Sequence, residues 1–307
     1  MWFKRLRRIQ IEITNRCNLN CRMCPRRIMG LEEKDMDWGL FKEIVNKLGG
    51  IREITLTGWG EPLIHPQISE MIKYAKRKGK QLHLTTNGIF DFVRLEEVLL
   101  SLDSLTFSID KLNDTDGFGH DNLKALENLK NLLQLRRKNS FKHPRINIQS
   151  VYYGKNEQDI FNLVSWAKKQ AVDAVKVIPL NQKYLKEKAF EFNNEKRCKF
   201  YRALENFSKK LQMPVDIVNY LAFRGWMRII YKSVVRIIPR ITDLYCLKNL
   251  DYLYITVDGQ VTPCCELPRY ILGDLKKEDL GTIWRGDKLK KFRLEQRVIC
   301  KGCSFAL

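Results

Sequence analysis

The chain predicts an α/β fold: a partial (β/α)6 barrel of the TIM type, followed by a small C-terminal domain made of a hairpin and a helix. Apolar strands alternate with amphipathic helices as far as residue 180, in units of about 30 residues, which is typical of parallel sheets with crossover helices. Near the C-terminus, Asp258-Gly259 between two apolar runs indicates a tight hairpin. A doubly wound open sheet is the alternative arrangement of the same repeats.

Short apolar runs predict six core strands: Ile9–Thr14, Glu53–Thr57, Gln81–Thr85, Leu105–Ile109, Ile146–Tyr152 and Ala174–Ile178. Helical periodicity predicts five helices between them: Asp37–Leu48, Pro66–Lys78, Phe92–Leu100, Asn122–Lys138 and Gln158–Lys169. Asp37 is the expected N-cap of its helix. Later elements are a helix at Lys199–Leu211 and hairpin strands at Tyr252–Val257 and Gln260–Thr262. We therefore expect a core at 1–180, a linker and helical segment at 181–245, and a cluster domain at 246–307.

Composition limits the classes of protein that fit. Fifty-five Lys and Arg against 35 acids give a net charge of +20, which indicates either an anionic partner or a lysine-rich surface. The first eight residues lack the apolar run of a signal peptide, and no apolar stretch is long enough for a membrane span. Nine cysteines in such a chain favour reduced metal ligands in the cytoplasm over disulfides.

Three of these cysteines follow the first strand. Cys17, Cys21 and Cys24 have the spacing C-x3-C-x2-C. Three thiolates can hold three irons of a 4Fe-4S cube and leave the fourth iron open, whereas a closed structural site needs four protein ligands. A zinc site with His65 or His83 as fourth ligand is the rival interpretation.

Further polar and glycine-rich motifs lie at the ends of the next predicted strands. The second strand ends in Thr57-Gly58-Trp59-Gly60-Glu61-Pro62, where the glycines allow close approach of a ligand to the backbone. The third is followed by Thr86-Asn87-Gly88, and the fourth ends in Ser108-Ile109-Asp110. Carboxyl ends of parallel strands are where α/β proteins bind ligands.

In this order, residues 9–180 resemble the radical S-adenosylmethionine (radical SAM) superfamily. The resemblance implies a 4Fe-4S cluster on Cys17, Cys21 and Cys24, and SAM bound to its open iron. It further implies SAM contacts from these residues: Gly58, Trp59, Gly60, Glu61, Pro62, Thr86, Asn87, Ser108, Asp110 and Ile178. Met23 stands where the family usually has an aromatic residue. The implied reaction is reductive cleavage of SAM, with an electron from a carrier such as flavodoxin or ferredoxin, and hydrogen abstraction from a substrate.

A second set of cysteines lies near the C-terminus: Cys246, Cys264, Cys300 and Cys303. Together with Gly273-Asp274-Leu275 and Ile283-Trp284, they resemble the SPASM or shortened "twitch" domain, which implies a second, auxiliary 4Fe-4S cluster with a full set of protein ligands. Cys265 could replace Cys264, and tetrahedral zinc is the alternative metal. A cluster with all its ligands from the protein can accept an electron from the substrate or stabilise the fold. Because the first role makes the net reaction an oxidation, we expect an oxidoreductase.

The substrate class is left open by the sequence: a small molecule, a sugar, a lipid, or a peptide presented by a separate recognition protein. No residue is singled out as catalytic base. Arg224, Arg228, Lys232, Arg236 and Arg240 recur every four residues among apolar side chains, which suits either peripheral contact with an anionic membrane at its cytoplasmic face or a helix packed on the core. The non-enzymatic alternative is a zinc-stapled, basic nucleic-acid-binding protein; we do not expect nucleic acid as a partner.

Overall fold

Strands and helices alternate along the first half of the chain, as the apolar periodicity requires. The computed structural model describes residues 6–113, 122–181, 183, 194–218, 246 and 251–303. Two compact units divide the chain: 1–108, 113–147 and 248–290 form the first, and 109–112, 148–247 and 291–307 form the second. The basic stretch at 220–240, with its membrane hypothesis, lies outside the described residues.

The first unit is built on strands and helices whose bounds are β1 Arg8–Ile11, α1 Arg26–Met29, α2 Trp38–Lys47, β2 Glu53–Leu56, α3 Ile68–Arg77, β3 Gln81–Thr86, α4 Phe92–Leu100, β4 Ser104–Ser108 and α5 Asn122–Lys138. A 3-10 turn at Pro62–Ile64 follows β2. The Asp37 side chain accepts a hydrogen bond from the Leu40 backbone N–H, which confirms the predicted cap. These bounds differ from the predicted ones by only a few residues.

The strands β1 to β4 pair in chain order and are parallel. Their register places Ile54 of β2 between Ile9 of β1 and Leu82 of β3. Their alternate side chains Ile9, Ile54 and Leu82 are buried, because one face of each strand is covered by the crossover helices. The predicted α/β class with a parallel sheet is therefore confirmed. The carboxyl ends of these strands form the edge at which the cysteine and glycine loops begin.

The C-terminal hairpin continues the same sheet. Its strands are β8 Tyr252–Ile255 and β9 Gln260–Thr262, which pair antiparallel, and Gly259 has the positive φ of +81° that the predicted turn requires. β8 also pairs with β1 in parallel, Ile255 beside Ile11. This pairing was not predicted, since it joins segments at opposite ends of the sequence. A two-residue strand, β10 Gly273–Asp274, and a helix, Leu280–Arg285, follow.

The second unit contains the larger part of β5 Arg145–Tyr152, together with α6 Glu157–Gln170, β6 Ala174–Pro179, α7 Asn194–Leu211 and β7 Val215–Ile217. β6 and β7 are parallel. Stacked rings hold α7 against β5, with the centroids of Tyr152 and Phe200 at 4.4 Å. The division between the units falls inside β5 and inside the last helix, Asp287–Ile299. β7 and this last helix were not predicted as separate elements.

Candidate active site

The cysteine loop begins after β1 and contains the three predicted cluster ligands. The backbone N–H of Leu19 donates to Cys17 Sγ at 3.4 Å, and the N–H of Cys24 donates to the Cys21 carbonyl at 3.0 Å, which folds the loop into a turn. All nine cysteines lie in the described part of the chain, and none forms a disulfide. Burial raises the pKa of the Cys17 and Cys24 thiols; a bound cluster would need both as thiolates.

The donor set of the loop fits a 4Fe-4S cube, because three thiols lie on one short loop and each cysteine of such a site binds a different iron. Within the described ranges, no group of three or more His, Cys, Asp or Glu side chains is arranged to hold one metal ion. Assignment of Cys17, Cys21 and Cys24 as the ligands remains a prediction.

The rival zinc interpretation needs a histidine beside these cysteines. His65 is buried, and its Nε2 lies 3.2 Å from the Met36 carbonyl. His83 Nδ1 lies 2.8 Å from Ser104 Oγ. Both imidazoles therefore have their own partners in the sheet and its loops.

The glycine loop 57–62 packs directly against the start of the cysteine loop. The Glu61 N–H donates to the Arg16 carbonyl at 2.8 Å. A Cβ on Gly60 would lie 2.3 Å from that same oxygen, so only glycine permits this approach. A Cβ on Gly58 would lie 2.3 Å from Glu12 Cγ. The two predicted loops thus form one continuous surface, with Pro62 beginning the following turn.

Glu61 is buried beneath the glycine loop, where its carboxyl group accepts three hydrogen bonds. Its Oε1 accepts from the Leu63 N–H at 3.0 Å and from the Thr86 hydroxyl at 2.8 Å, and its Oε2 accepts from the Asn87 N–H at 2.6 Å. Only 2% of the residue is exposed, and burial raises its pKa to about 7. The carboxyl group therefore ties the glycine loop to the turn after β3.

Asn87 links that turn to the cysteine loop. Its side-chain amide donates to Asn18 Oδ1 at 2.8 Å and lies 3.8 Å from Cys17 Sγ. Gly88 follows with φ +84°, and its N–H is accepted by Thr86 Oγ1 at 3.0 Å. The structure therefore brings together the cysteine loop, residues 57–62 and Thr86-Asn87, three motifs that the sequence only placed at strand ends.

Three further residues are predicted SAM contacts: Ser108, Asp110 and Ile178. Ser108 ends β4 in the first unit, partly buried. In the second unit, Asp110 is buried and its Oδ1 accepts from the Val151 N–H at 2.6 Å and the Ser150 hydroxyl at 3.2 Å. Ile178 lies half-buried in β6 of the same unit. Their roles toward SAM stay predictions.

Three of the four predicted auxiliary ligands, Cys246, Cys300 and Cys303, belong to the second unit. The Cys246 N–H donates to Gln296 Oε1 at 3.1 Å, and the Cys300 N–H donates to the Gln296 carbonyl at 2.8 Å. Burial, aided by the neighbouring thiols of Cys246 and Cys303, raises the pKa of Cys300 to about 11. Gln296, fully buried, thus holds the first of these cysteines beside the C-terminal pair.

Cys264 and Cys265 belong to the first unit, in the turn after β9. The Cys265 carbonyl accepts from the Trp59 indole N–H at 2.9 Å, and the Cys264 carbonyl accepts from the Leu267 N–H at 3.1 Å. Both thiols add to the effect of burial, which raises the pKa of Tyr252 well above its ordinary value. The choice between Cys264 and Cys265 as ligand stays open.

Sequence reasoning missed three residues that shape these sites: Glu12, Gln296 and Arg269. Glu12 is buried, and its Oε1 accepts from the Trp59 backbone N–H at 2.9 Å. An acid between Ile11 and Ile13, inside an apolar strand, was the available signal. Gln296 precedes Cys300 by one helical turn, which places both on one helix face. No sequence pattern around Arg269 indicates that its side chain binds the carbonyls of Met29 and Gly30.

Comparison with known proteins agrees with this geometry. The family model of the radical SAM superfamily matches residues 11–167, and that of an iron–sulfur cluster-binding domain, SPASM, matches residues 246–304. The chain therefore belongs to the radical SAM superfamily and carries a C-terminal SPASM domain. It is a radical SAM enzyme. Its cofactors are SAM, a 4Fe-4S cluster and the auxiliary iron–sulfur clusters of the SPASM domain.

Two relatives extend over almost the whole chain. A tungsten-containing aldehyde ferredoxin oxidoreductase cofactor-modifying protein from Pyrococcus furiosus is 25% identical over 96% of this chain and 86% of its own length. A probable GTP 3',8-cyclase from Sulfurisphaera tokodaii is 25% identical over 94% of this chain and 88% of its own. Because these relatives differ in reaction, the family defines the class of chemistry and leaves the substrate open.

The fold is shared with a solved structure, Streptococcus suis SuiB bound to precursor peptide SuiA. The TM-score is 0.75 at 16% sequence identity, and the match covers 99% of this chain and 71% of that one. Among the described residues, no helix is long and apolar enough to cross a membrane.

Proposed function

We propose that this radical SAM enzyme performs a net oxidation, a dehydrogenation or a cross-link, on a small-molecule, sugar, lipid or peptide substrate. The observation that carries the proposal is the presence of two separate cysteine sets, one with three members and one with four. An open cluster suits SAM chemistry, whereas a cluster with all its ligands from protein suits electron transfer. When bound, the first cluster and SAM supply one-electron cleavage of SAM and hydrogen abstraction from the substrate.

The residues of the chain have distinct tasks in this proposal. Gly58 and Gly60 let residues 57–62 pack closely against Glu12 and the Arg16 carbonyl, and Glu61 fixes that backbone, whose polar groups would bind the α-amino group of SAM. Asn87 orients the Cys17 thiol. Asp110, held by the Val151 N–H, suits a ribose hydroxyl because a carboxylate accepts hydrogen bonds. Ile178 suits the adenine ring.

The auxiliary set would be Cys246, Cys300, Cys303 and either Cys264 or Cys265. We propose residues 1–180 as the core, 181–245 as a linker and helical segment, and 246–307 as the auxiliary-cluster domain. A flavodoxin or ferredoxin would supply the reducing electron. A peptide substrate presented by a separate recognition protein is the second candidate, favoured by the fold shared with SuiB.

Anaerobic iron and sulfide analysis tests the two-cluster assignment. We expect about eight irons per chain in the wild type and about four in the Cys17→Ala/Cys21→Ala/Cys24→Ala variant, since each cube holds four irons. Cys198→Ala is the matched control and should keep all of them, because Cys198 belongs to neither set. Loss of every iron in the triple variant, or two zinc atoms in colourless wild-type protein, would contradict the proposal.

A further inference from the structure

The turn after β9, residues 264–269, contacts the glycine loop of the candidate SAM site and the helix that follows its cysteine loop. It carries Cys264 and Cys265, one of which is an auxiliary ligand in the proposed function. Backbone hydrogen bonds close the turn: Leu267 N–H to the Cys264 carbonyl at 3.1 Å, and Tyr270 N–H to the Leu267 carbonyl at 3.0 Å. The contacts of this turn with Trp59, Met29 and Gly30 all lie within the first unit.

The first contact reaches the glycine loop. Trp59 stands between Gly58 and Gly60, and its indole N–H donates to the Cys265 carbonyl at 2.9 Å. Its backbone N–H donates to Glu12 Oε1, also at 2.9 Å. Trp59 is thus held by its backbone, through Glu12, and by its side chain, through the turn, so movement of the turn would be transmitted to the neighbouring glycines.

The second contact reaches the end of the helix that follows the cysteine loop. Arg269 Nη2 donates to the Met29 carbonyl at 2.7 Å and to the Gly30 carbonyl at 3.3 Å. Met29 ends α1, the short helix that begins two residues after Cys24. The same six residues therefore contact the glycine loop and the helix that follows the cysteine loop.

A cavity adjoins the second of these contacts. Its volume is about 300 Å³, and Arg269 lies in its wall together with Glu12, Asn15 and Lys34. Because packed side chains do not fill the space beside Arg269, its hydrogen bonds have a larger share in holding the turn. The bonds from Trp59 and Arg269 are thus the directional anchors of the turn.

We propose that Trp59 and Arg269 are positioning residues that link SAM binding at the first cluster to the loading of the auxiliary cluster. The inference rests on the proposed function in one respect, the assignment of a cysteine in this turn to the second cluster. An auxiliary cluster would fix the turn through its cysteine. The turn would then fix the glycine loop, and through α1 the end of the cysteine loop. Such coupling is reciprocal, so SAM would in turn stabilise the loaded auxiliary site.

The anchors are tested by Trp59→Phe and Arg269→Gln, prepared anaerobically with both clusters loaded. Equilibrium dialysis with labelled SAM, without reductant, measures binding independently of turnover. Each variant should bind SAM about tenfold more weakly, the effect of losing about one hydrogen bond to a loop that must be held. Arg136→Gln is the matched control, because Arg136 also donates to a backbone carbonyl, that of Pro144 at 3.0 Å. The SAM affinity of this control variant should stay within about twofold of the wild type. Wild-type affinity in both Trp59→Phe and Arg269→Gln would overturn the proposal.

The link to the second cluster is tested by Cys246→Ala, alone and combined with Arg269→Gln. We expect Cys246→Ala alone to lose about four irons and to bind SAM more weakly. Arg269→Gln should then reduce SAM affinity by a smaller factor in the Cys246→Ala protein than in the wild type, as is expected for coupled residues. Loss of the irons with unchanged SAM affinity would overturn the linkage and leave the proposed function intact. Retention of all irons would contradict the auxiliary cluster itself, and with it the linkage.

Discussion

Replacing Glu61 by glutamine is expected to release the glycine loop from the turn after β3 and to abolish measurable SAM binding. The carboxylate accepts three hydrogen bonds, from Leu63 N–H, Thr86 hydroxyl and Asn87 N–H. Glutamine has one acceptor oxygen, so its amide NH2 must face at least one of these donors. A buried unsatisfied group costs about 1–3 kcal/mol, and Asn87 would no longer be held beside Cys17.

Urea unfolding of the apoprotein and iron analysis of the reconstituted protein measure this effect. We expect a loss of about 1–3 kcal/mol in unfolding free energy and loss of the irons of the first cluster. Glu97→Gln is the matched control; the Glu97 side chain is 89% exposed, so the change should stay within about 0.5 kcal/mol. Equal stability and iron content in Glu61→Gln and the wild type would contradict the role assigned to Glu61.

The pH dependence of the same pair gives an independent check. Burial raises the pKa of Glu61 from 4.5 to about 7. A group whose folded pKa lies above its unfolded value stabilises the fold at low pH, and this contribution is lost as the pH rises through the folded value. The stability advantage of the wild type over Glu61→Gln should therefore shrink between pH 5 and pH 8. An advantage that is constant or grows over this range would contradict the raised pKa.

Gly60→Ala is expected to have a comparably large effect, by a steric route. The new Cβ would lie 2.3 Å from the Arg16 carbonyl oxygen and 2.5 Å from that of Thr14. Both are backbone atoms, so the segment leading into the cysteine loop must move, and the bond from Glu61 N–H to the Arg16 carbonyl must break. We expect destabilisation of about 3 kcal/mol, the upper range for overpacking, and loss of the irons of the first cluster.

Gly49→Ala is the control for the glycine substitution itself. Nothing lies within 4 Å of a Cβ at Gly49, although its φ of +51° is strained for alanine. We expect a cost of about 1–2 kcal/mol from that backbone strain and full iron content. Urea unfolding and iron analysis compare the two variants. Gly60→Ala protein with wild-type stability and iron would show that the glycine loop and cysteine loop do not pack as described.

The sequence predicted most of the elements and motifs of the first half of the chain. Periodicity and caps are local, so β1 to β6 and α2 to α6 were predicted within a few residues of their bounds. The glycine loop and the cysteine loop were predicted because each is a short run with a defined spacing.

Contacts between distant segments were not predictable in the same way. Two examples are the parallel pairing of β8 with β1 and the hydrogen bond from Trp59 to the Cys265 carbonyl. Both join residues that are far apart in the sequence, and no local pattern indicates that they meet. The hydrogen bonds of the Glu61 carboxyl group were likewise not predictable, since only the fold brings Thr86 and Asn87 to it. Arg269 and Gln296 bind backbone groups, which any sequence supplies.

The central claim is tested most directly by SAM cleavage in the reduced protein. Wild-type protein with both clusters loaded, reduced anaerobically and given SAM, should form 5′-deoxyadenosine and methionine in equal amounts. The Cys17→Ala/Cys21→Ala/Cys24→Ala variant should form neither. Absence of both products in fully loaded, reduced wild-type protein that binds SAM would contradict the account.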